Sequence, residues 1–292
     1  MRLSILASGS SGNALVAQAG DTRVLIDCGL SLRRLGRRMG AVGLEVAALD
    51  AVVISHEHTD HTRGLEVFLR HHQIPVLATA GTAGVLRKEV PLLEPLVSGR
   101  EVTIGELAVL PVSTSHDARE PVGFVLTHGD CRVGVITDTG VGTQLLIERI
   151  SGCHALLLEC NHDLDMLRAG PYPWPLKQRI ASRTGHLSNE QARAVLEAIV
   201  HGELELVVGM HLSRENNRPE LVERELQQLL AGSPVQLMMA DQFEPLVVSV
   251  GTAGAGNQEG GPGRRGMFDS AGEDRHALAP AGALPRPPGC RQ

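Results

Sequence analysis

Residues 1–250 of the 292-residue chain predict an α/β layered sandwich, and residues 251–292 a Gly/Pro-rich disordered tail. Three observations carry this. The chain opens on short apolar strands arranged as hairpins. From there, short apolar runs alternate with amphipathic stretches of helical period, the pattern of strand–helix units. The last 42 residues hold ten glycines and five prolines and neither period.

The elements follow in order. Strands are expected at Leu3–Leu6, Ala14–Gln18 and Arg23–Ile26, then a helix at Leu32–Met39. A buried strand at Ala51–Ile54 leads to a helix at Arg63–His72, and a strand at Val76–Ala78 to a helix at Ala80–Glu89. Strands at Leu107–Val112, Gly123–Thr127 and Arg132–Thr137 precede a helix at Thr143–Ile150. Strands at Ala155–Leu158 and Leu206–Val208 bracket a helix at Asn189–His201, which Ser188 or Asn189 can cap. Pro219 opens a helix to Leu230, and strands near Val235–Met239 and Pro245–Val248 close the body.

Composition bounds the rest. Apolar residues make up 42% and charged residues 21%, so a sizeable core can form, and no run of 18 apolar residues exists to span a bilayer. Net charge is −6, from 27 basic and 33 acidic residues, so no global field draws in nucleic acid. Five cysteines without CxxC spacing argue against a disulfide framework and for a reducing compartment. The start, MRLSILASGSSGNALV, lacks the apolar stretch of a secretory signal; the expected address is the cytoplasm.

Thirteen histidines are the anomaly, and four ligand-type residues crowd one place. After the strand Ala51–Ile54 the chain reads Ser55-His-Glu-His-Thr-Asp-His61. Alternate residues leaving a strand point the same way, so His56 and His58 can converge on one ion. As the chain turns into a helix, Asp60 and His61 are redirected together and can serve a second. Imidazole and carboxylate ligands suit zinc, manganese or iron, and the absence of Cys from the cluster argues against a structural thiolate site.

HEHTDH resembles the HxHxDH signature of the metallo-β-lactamase fold, which implies a four-layered αβ/βα sandwich with a metal centre at its rim. By that resemblance His116 is the third His of the first site, Asp138 the bridging carboxylate and His211 the last His of the second. Each follows a strand. Glu159 and His186 resemble the Glu and His pair of the transfer-RNA 3′-processing endonucleases, where His186 would be a general acid oriented by Glu159. The strings ASGSSGNA, LIDCG, EPVGF, ECNHD, YPWPLKQRI, GHLSNEQA and HLSRENN resemble the YycJ (WalJ)-like family. Membership implies a dinuclear metal phosphodiesterase, holding two Zn²⁺ or Mn²⁺ ions, with 5′-to-3′ exonuclease character on DNA.

Phosphodiester chemistry fits such a site. Two ions about 3.5–4 Å apart can generate hydroxide, here beside Asp60 and Asp138, and clamp attacking and leaving oxygens. Ser10 and Asn13 in a Gly-broken turn, and Ser213 and Asn217 after His211, can supply neutral donors to phosphate. A tight hairpin and a helix cap would explain the same residues. Tyr172-Pro-Trp-Pro-Leu-Lys-Gln-Arg179 holds the chain's one Tyr and one Trp in a Pro-rich loop beside Lys177 and Arg179, with Arg183 one turn later. Aromatics among basic residues can stack and track a single strand, Trp174 and Lys177 foremost, or Trp174 pins the loop to the body. Arg33, Arg34, Arg37 and Arg38 form a second basic cluster. His162 is a rival for a site role, whereas His71, His72, His128, His154, His201 and His276 are expected exposed. The competing class is a small-molecule hydrolase acting on a lactone, thioester or cyclic phosphodiester.

Overall fold

The structure, a computed structural model, describes residues 1–86, 90 and 92–251. The expected tail beyond residue 251, with His276 and Cys290, lies outside the described residues, as do residues 87–89 of the helix expected to reach Glu89.

Two seven-stranded sheets carry the fold. The first takes β1 (Arg2–Ala7), β2 (Ala14–Ala19), β3 (Thr22–Ile26), β4 (Ala51–Val53), β5 (Val76–Thr79) and β6 (Leu93–Leu96) in chain order. Its far edge is β14 (Leu246–Ser249), which returns to pair with β1, Leu3 opposite Val248. The second sheet takes β7 (Val102–Ile104), β8 (Leu107–Ser113), β9 (Val122–His128), β10 (Cys131–Ile136), β11 (Ala155–Glu159), β12 (Leu206–Met210) and β13 (Gln236–Met239), again in chain order. In each sheet three antiparallel ladders give way to three parallel ones, at β3 in the first and β10 in the second.

Strand alternation divides the apolar residues into layers. Leu15, Ala17, Val24 and Ile26 of the first sheet meet Phe124, Leu126, Val133 and Leu157 of the second in a central core. Val16 and Leu25 face the other way, onto α1 (Leu32–Ala41) and α3 (Leu65–His71), through Leu35, Met39 and Phe68. Leu156, Leu158 and Val207 pack on α5 (Gln144–Ile150), α8 (Asn189–Ile199) and α9 (Pro219–Leu230). This is the expected αβ/βα sandwich. Phe124, 1% exposed between the sheets, would cost about 3–5 kcal/mol to truncate to Ala.

Where the elements differ from expectation, proline and short length explain it. β6 and β7 were not expected: β6 carries Pro95, which an outer strand tolerates because one side makes no ladder, and β7 spans only three residues. The Pro-rich stretch expected as a loop is the helix α7 (Trp174–Ile180); Pro173 is its N-cap and Pro175 sits in the first turn, where no intrahelical N–H is needed. α2 (Thr59–Thr62), α4 (Ala80–Val85) and α6 (Leu164–Ala169) are short. Of the arginine cluster, Arg38 is buried and donates to the carbonyls of Leu6 and Gln242.

Candidate metal centre and cleft

The chemistry-bearing residues sit at or just beyond strand ends, and all but His116 follow strands with a parallel neighbour. His56 follows β4 and α2 carries Asp60 and His61; His116 follows β8, Asp138 β10 and His211 β12, while Glu159 closes β11. The His loop is clamped to the segment after β3. Asn13 N–H donates to Asp60 O at 2.7 Å, Cys28 N–H to His61 O at 2.7 Å, and Gly64 N–H to Cys28 O at 2.8 Å. A Cβ at Gly29 would lie 1.7 Å from Asp60 O, so only glycine lets the two backbones approach.

One set of ring nitrogens converges. His56 Nε2 lies 3.1 Å from His58 Nδ1, which lies 3.2 Å from His116 Nε2. Nitrogens in a tetrahedral shell with metal–nitrogen distances of about 2.0–2.1 Å stand roughly 3.3 Å apart, so this spacing fits a zinc-like ion. The remaining nitrogens fix the tautomers. His116 Nδ1–H donates to Gly185 O at 2.9 Å. Ser55 Oγ–H goes to Asp27, so that oxygen accepts from His56 Nδ1 at 3.0 Å. Both leave Nε2 bare toward the cluster.

A second set adjoins the first. His61 Nε2 lies 3.2 Å from Asp138 Oδ2 and 3.5 Å from Asp60 Oδ2, and His211 Nε2 3.6 Å from Asp60 Oδ2. Asp138 Oδ1 also stands 3.8 Å from His116 Nε2, so its carboxylate faces both sets. Asp138 Oδ2 and His211 Nε2 are buried without a hydrogen-bond partner, as ligand atoms awaiting a cation would be. His61 Nδ1–H donates to Asp27 Oδ2 at 2.8 Å, and His211 Nδ1–H to Glu159 Oε1 at 3.2 Å. The two adjoining sets make a dinuclear metal-binding site.

Backbone strain accompanies it. Asp27, Asp138 and His211, at φ of 60°, 56° and 53°, are the non-glycine residues in the left-handed region among those described. Each ends a strand and turns its side chain into the cluster, at a cost of about 1–3 kcal/mol. Asp27 was missed in the sequence. Its signal was available: Asp27-Cys-Gly29 after β3 matches Asp138-Thr-Gly140 after β10.

Electrostatics divides the histidines. Burial, then the neighbouring His61, pushes His56 well below the ordinary imidazole value, and burial lowers His116. Burial also opposes charge on His61, but Asp27 and Asp138 outweigh it and hold the ring well above its ordinary value. His211 rises to about 10 against its burial, through Asp138, Asp60 and Glu159. Glu159, wholly buried, is held down to about 2 by His186 and His211, which overcome its desolvation.

His186 stands apart. Its Nδ1 lies 2.7 Å from Glu159 Oε1 and 3.7 Å from Asp138 Oδ1, and its ring lines the cleft over the cluster. Despite burial its pKa is raised, because the Glu159 carboxylate stabilises the imidazolium. A capping box of Ser188 and Gln191 starts α8 just beyond it, and its own N–H bonds to Ile180 O at 2.9 Å.

The cleft, of about 520 Å³, collects Ser10 and Ser213 of the expected phosphate donors. Asn13 is buried instead, its Nδ2 3.3 Å from Asp60 Oδ2 and 3.0 Å from His61 Nε2. Asn217 makes a reciprocal amide pair with Asn189 at 3.0 and 2.8 Å. From the α7 region the cleft takes Tyr172, just before the helix, and Leu176, Arg179 and Ile180, which helical spacing puts on one side. Trp174, 65% exposed, and Lys177, whose Nζ donates to Arg168 O, do not line it. His162 is fully buried and neither ring nitrogen has a partner; it is not among the residues grouped as ligands.

Comparison with known proteins agrees with this architecture. The Beta-lactamase superfamily domain profile matches residues 22–212. The exodeoxyribonuclease YycJ of Bacillus anthracis is 33% identical over 235 residues, covering 79% of this chain and 89% of that protein. The exodeoxyribonuclease WalJ of Streptococcus pneumoniae is 33% identical over 238 residues, covering 79% and 88%. The crystal structure of the metallo-β-lactamase-fold protein YhfI from Bacillus subtilis superposes with a TM-score of 0.67 at 17% identity, over 85% of this chain and 99% of that one. Among the described residues no helix is long and apolar enough to cross a membrane. Fold, ligand clusters and relatives together place the chain in the metallo-β-lactamase superfamily, in the family of the YycJ and WalJ proteins.

Proposed function

We propose that the chain is a DNA exonuclease working 5′ to 3′ on two divalent ions, Zn²⁺ or Mn²⁺, in the cytoplasm. In this reading His56, His58 and His116 hold one ion, Asp60, His61 and His211 the other, and Asp138 faces both. Such a pair supplies Lewis acidity and a water acidified enough to attack phosphorus near neutral pH. The relatives named exodeoxyribonucleases support DNA as substrate. The body from residue 1 to about 250 is the catalytic domain in this reading.

The observation that carries it is the Glu159–His186 pair at 2.7 Å beside the ligand cluster. Phosphodiester cleavage expels an alkoxide, a poor leaving group that needs a proton. Glu159 holds a proton on Nδ1 of His186 and raises the ring's basicity, so Nε2 can carry the proton that the departing oxygen takes. Ser10 and Ser213 on the cleft wall offer hydroxyls to the non-bridging phosphate oxygens. Asn13 holds Asp60, and Asn217 with Asn189 braces the loop behind His211, so both serve the site from beneath.

The test is degradation of 5′-labelled single- and double-stranded DNA with Mn²⁺ or Zn²⁺, with Asp60→Ala alongside. Release of the label at once as a 5′-terminal nucleotide or short fragment, by the native protein alone, is the expected result; a labelled ladder shortening from the 3′ end would reverse the direction. No cleavage by protein shown to hold two ions per chain would overturn the nuclease and favour a small-molecule hydrolase.

A further inference from the structure

A cleft built to hold cations is lined by carboxylates, and a nucleic-acid strand brings more than one phosphate to it. Glu57, Asp60, Asp117 and Asp138 line this cleft, and among its described lining residues Arg179 is the single Lys or Arg. Two divalent ions can accommodate the phosphate under attack. The phosphate beside it would meet the acidic wall unless a cation stood there.

Arg179 is placed for that. Its Nε donates to Asp117 Oδ2 at 2.6 Å, and Asp117 Oδ1 lies 3.5 Å from His116 Nε2 and 3.8 Å from His58 Nε2. One carboxylate therefore separates the guanidinium from the first ligand set. The contact to Asp117 uses Nε and leaves the two Nη groups, the paired donors that match phosphate oxygens. The side chain is 61% exposed, so packing does not claim it. Its backbone is fixed relative to the cluster: His186 N–H bonds to Ile180 O, and His116 Nδ1–H to Gly185 O, both at 2.9 Å. Tyr172 and Leu176 lie along the same wall and give an aromatic and an apolar surface where a sugar or base can rest.

We propose that Arg179 grips the internucleotide phosphate next to the scissile one, with Asp117 as the positioning residue that presets its guanidinium; the inference rests on the phosphodiesterase reading above. It makes the cleft selective for a substrate with two successive phosphates over an ester with one.

The experiment uses metal-loaded protein, ions per chain counted, on oligodeoxynucleotides carrying one neutral methylphosphonate on either side of the scissile bond. At one of the two linkages native kcat/KM should fall about 10- to 100-fold, mostly through KM. Arg179→Ala should lose a similar factor on the all-phosphate strand and no more at that methylphosphonate, with Arg179→Lys between. Asp117→Asn should raise KM by less in the native background and add nothing to Arg179→Ala; a lowered kcat in that background would remove Asp117 from the proposal. Arg179→Ala matching the native rate on all-phosphate DNA, or keeping the full methylphosphonate penalty, would overturn the assignment while leaving the nuclease intact. A native protein inert toward every strand would overturn both.

Discussion

Glu159 Oε1 sits 2.7 Å from Nδ1 of His186 and 3.2 Å from Nδ1 of His211, so one buried oxygen orients two rings. Its partner Oε2 accepts from the backbone N–H of Thr139 at 2.9 Å, directly after Asp138. Glu159→Gln should therefore weaken two functions at once: kcat by about 100-fold and metal affinity by about 10-fold. His186→Ala should lower kcat alone, with two ions per chain retained. The contrast is sharpest with bis(p-nitrophenyl) phosphate, whose leaving group needs no proton. There His186→Ala should recover most of its rate and Glu159→Gln should not, once metal is limiting.

Asp27 should matter although it does not line the cleft. Its carboxylate accepts from Ser55 N–H and Oγ–H as well as from His61, and all three bonds are buried. Asp27→Asn keeps the volume but presents an amide donor to groups that already donate. Ion affinity, measured by competition with a chelator, should fall about 10- to 100-fold. Unchanged affinity would show that His61 holds its tautomer unaided.

His162 predicts a pH dependence of stability. Burial lowers its pKa from 6.5 to about 4, and both ring nitrogens lack partners. The unfolded chain then binds its proton first as pH falls. The native state loses up to about 3 kcal/mol between pH 6.5 and 4, and nothing more from this group below that. His162→Leu should flatten this part of the urea-denaturation profile. An unaltered slope would locate the acid sensitivity elsewhere.

Removing the ions should soften the whole body, because the two sheets share them: His56, His58, Asp60 and His61 come from the first, and His116, Asp138 and His211 from the second. Ligand present at 100 times its Kd adds about 2.7 kcal/mol per site. A chelator should accordingly lower Tm by several degrees, and restoring Mn²⁺ or Zn²⁺ should return it. Asp138→Ala should show the low Tm with or without ions.

Much of this was legible in the chain. Twelve of the fourteen strands follow from short apolar runs, and HEHTDH and the strand-end residues His116, Asp138 and His211 meet at one centre because each follows a strand whose period is plain. What escaped was what periodicity does not encode. Proline marked α7 as a loop, since composition does not say that a proline stands in a first turn. The face of α7 that meets the cleft depends on tertiary packing: of the aromatic and basic residues that stood out together in the sequence, Tyr172 and Arg179 reach the cleft and Trp174 and Lys177 do not. Asn13 and Asn217 look alike as loop amides, and only burial reveals them as braces.

The division between the sheets has a further consequence. β14 with β1 to β6, and β7 to β13, repeat one order of ladders, and Asp27 and Asp138 follow the corresponding strand of each. Neither half owns all the residues assigned above to either ion. A chain opened in the turn between Leu96 and Val102 would yield two pieces, each with only part of both sets. β14 belongs to the later piece but adds to the edge of the earlier one, a ready-made handle for reassembly. Nuclease activity would then report the reunion of the fragments, and the metal centre would become a readout of a protein put back together.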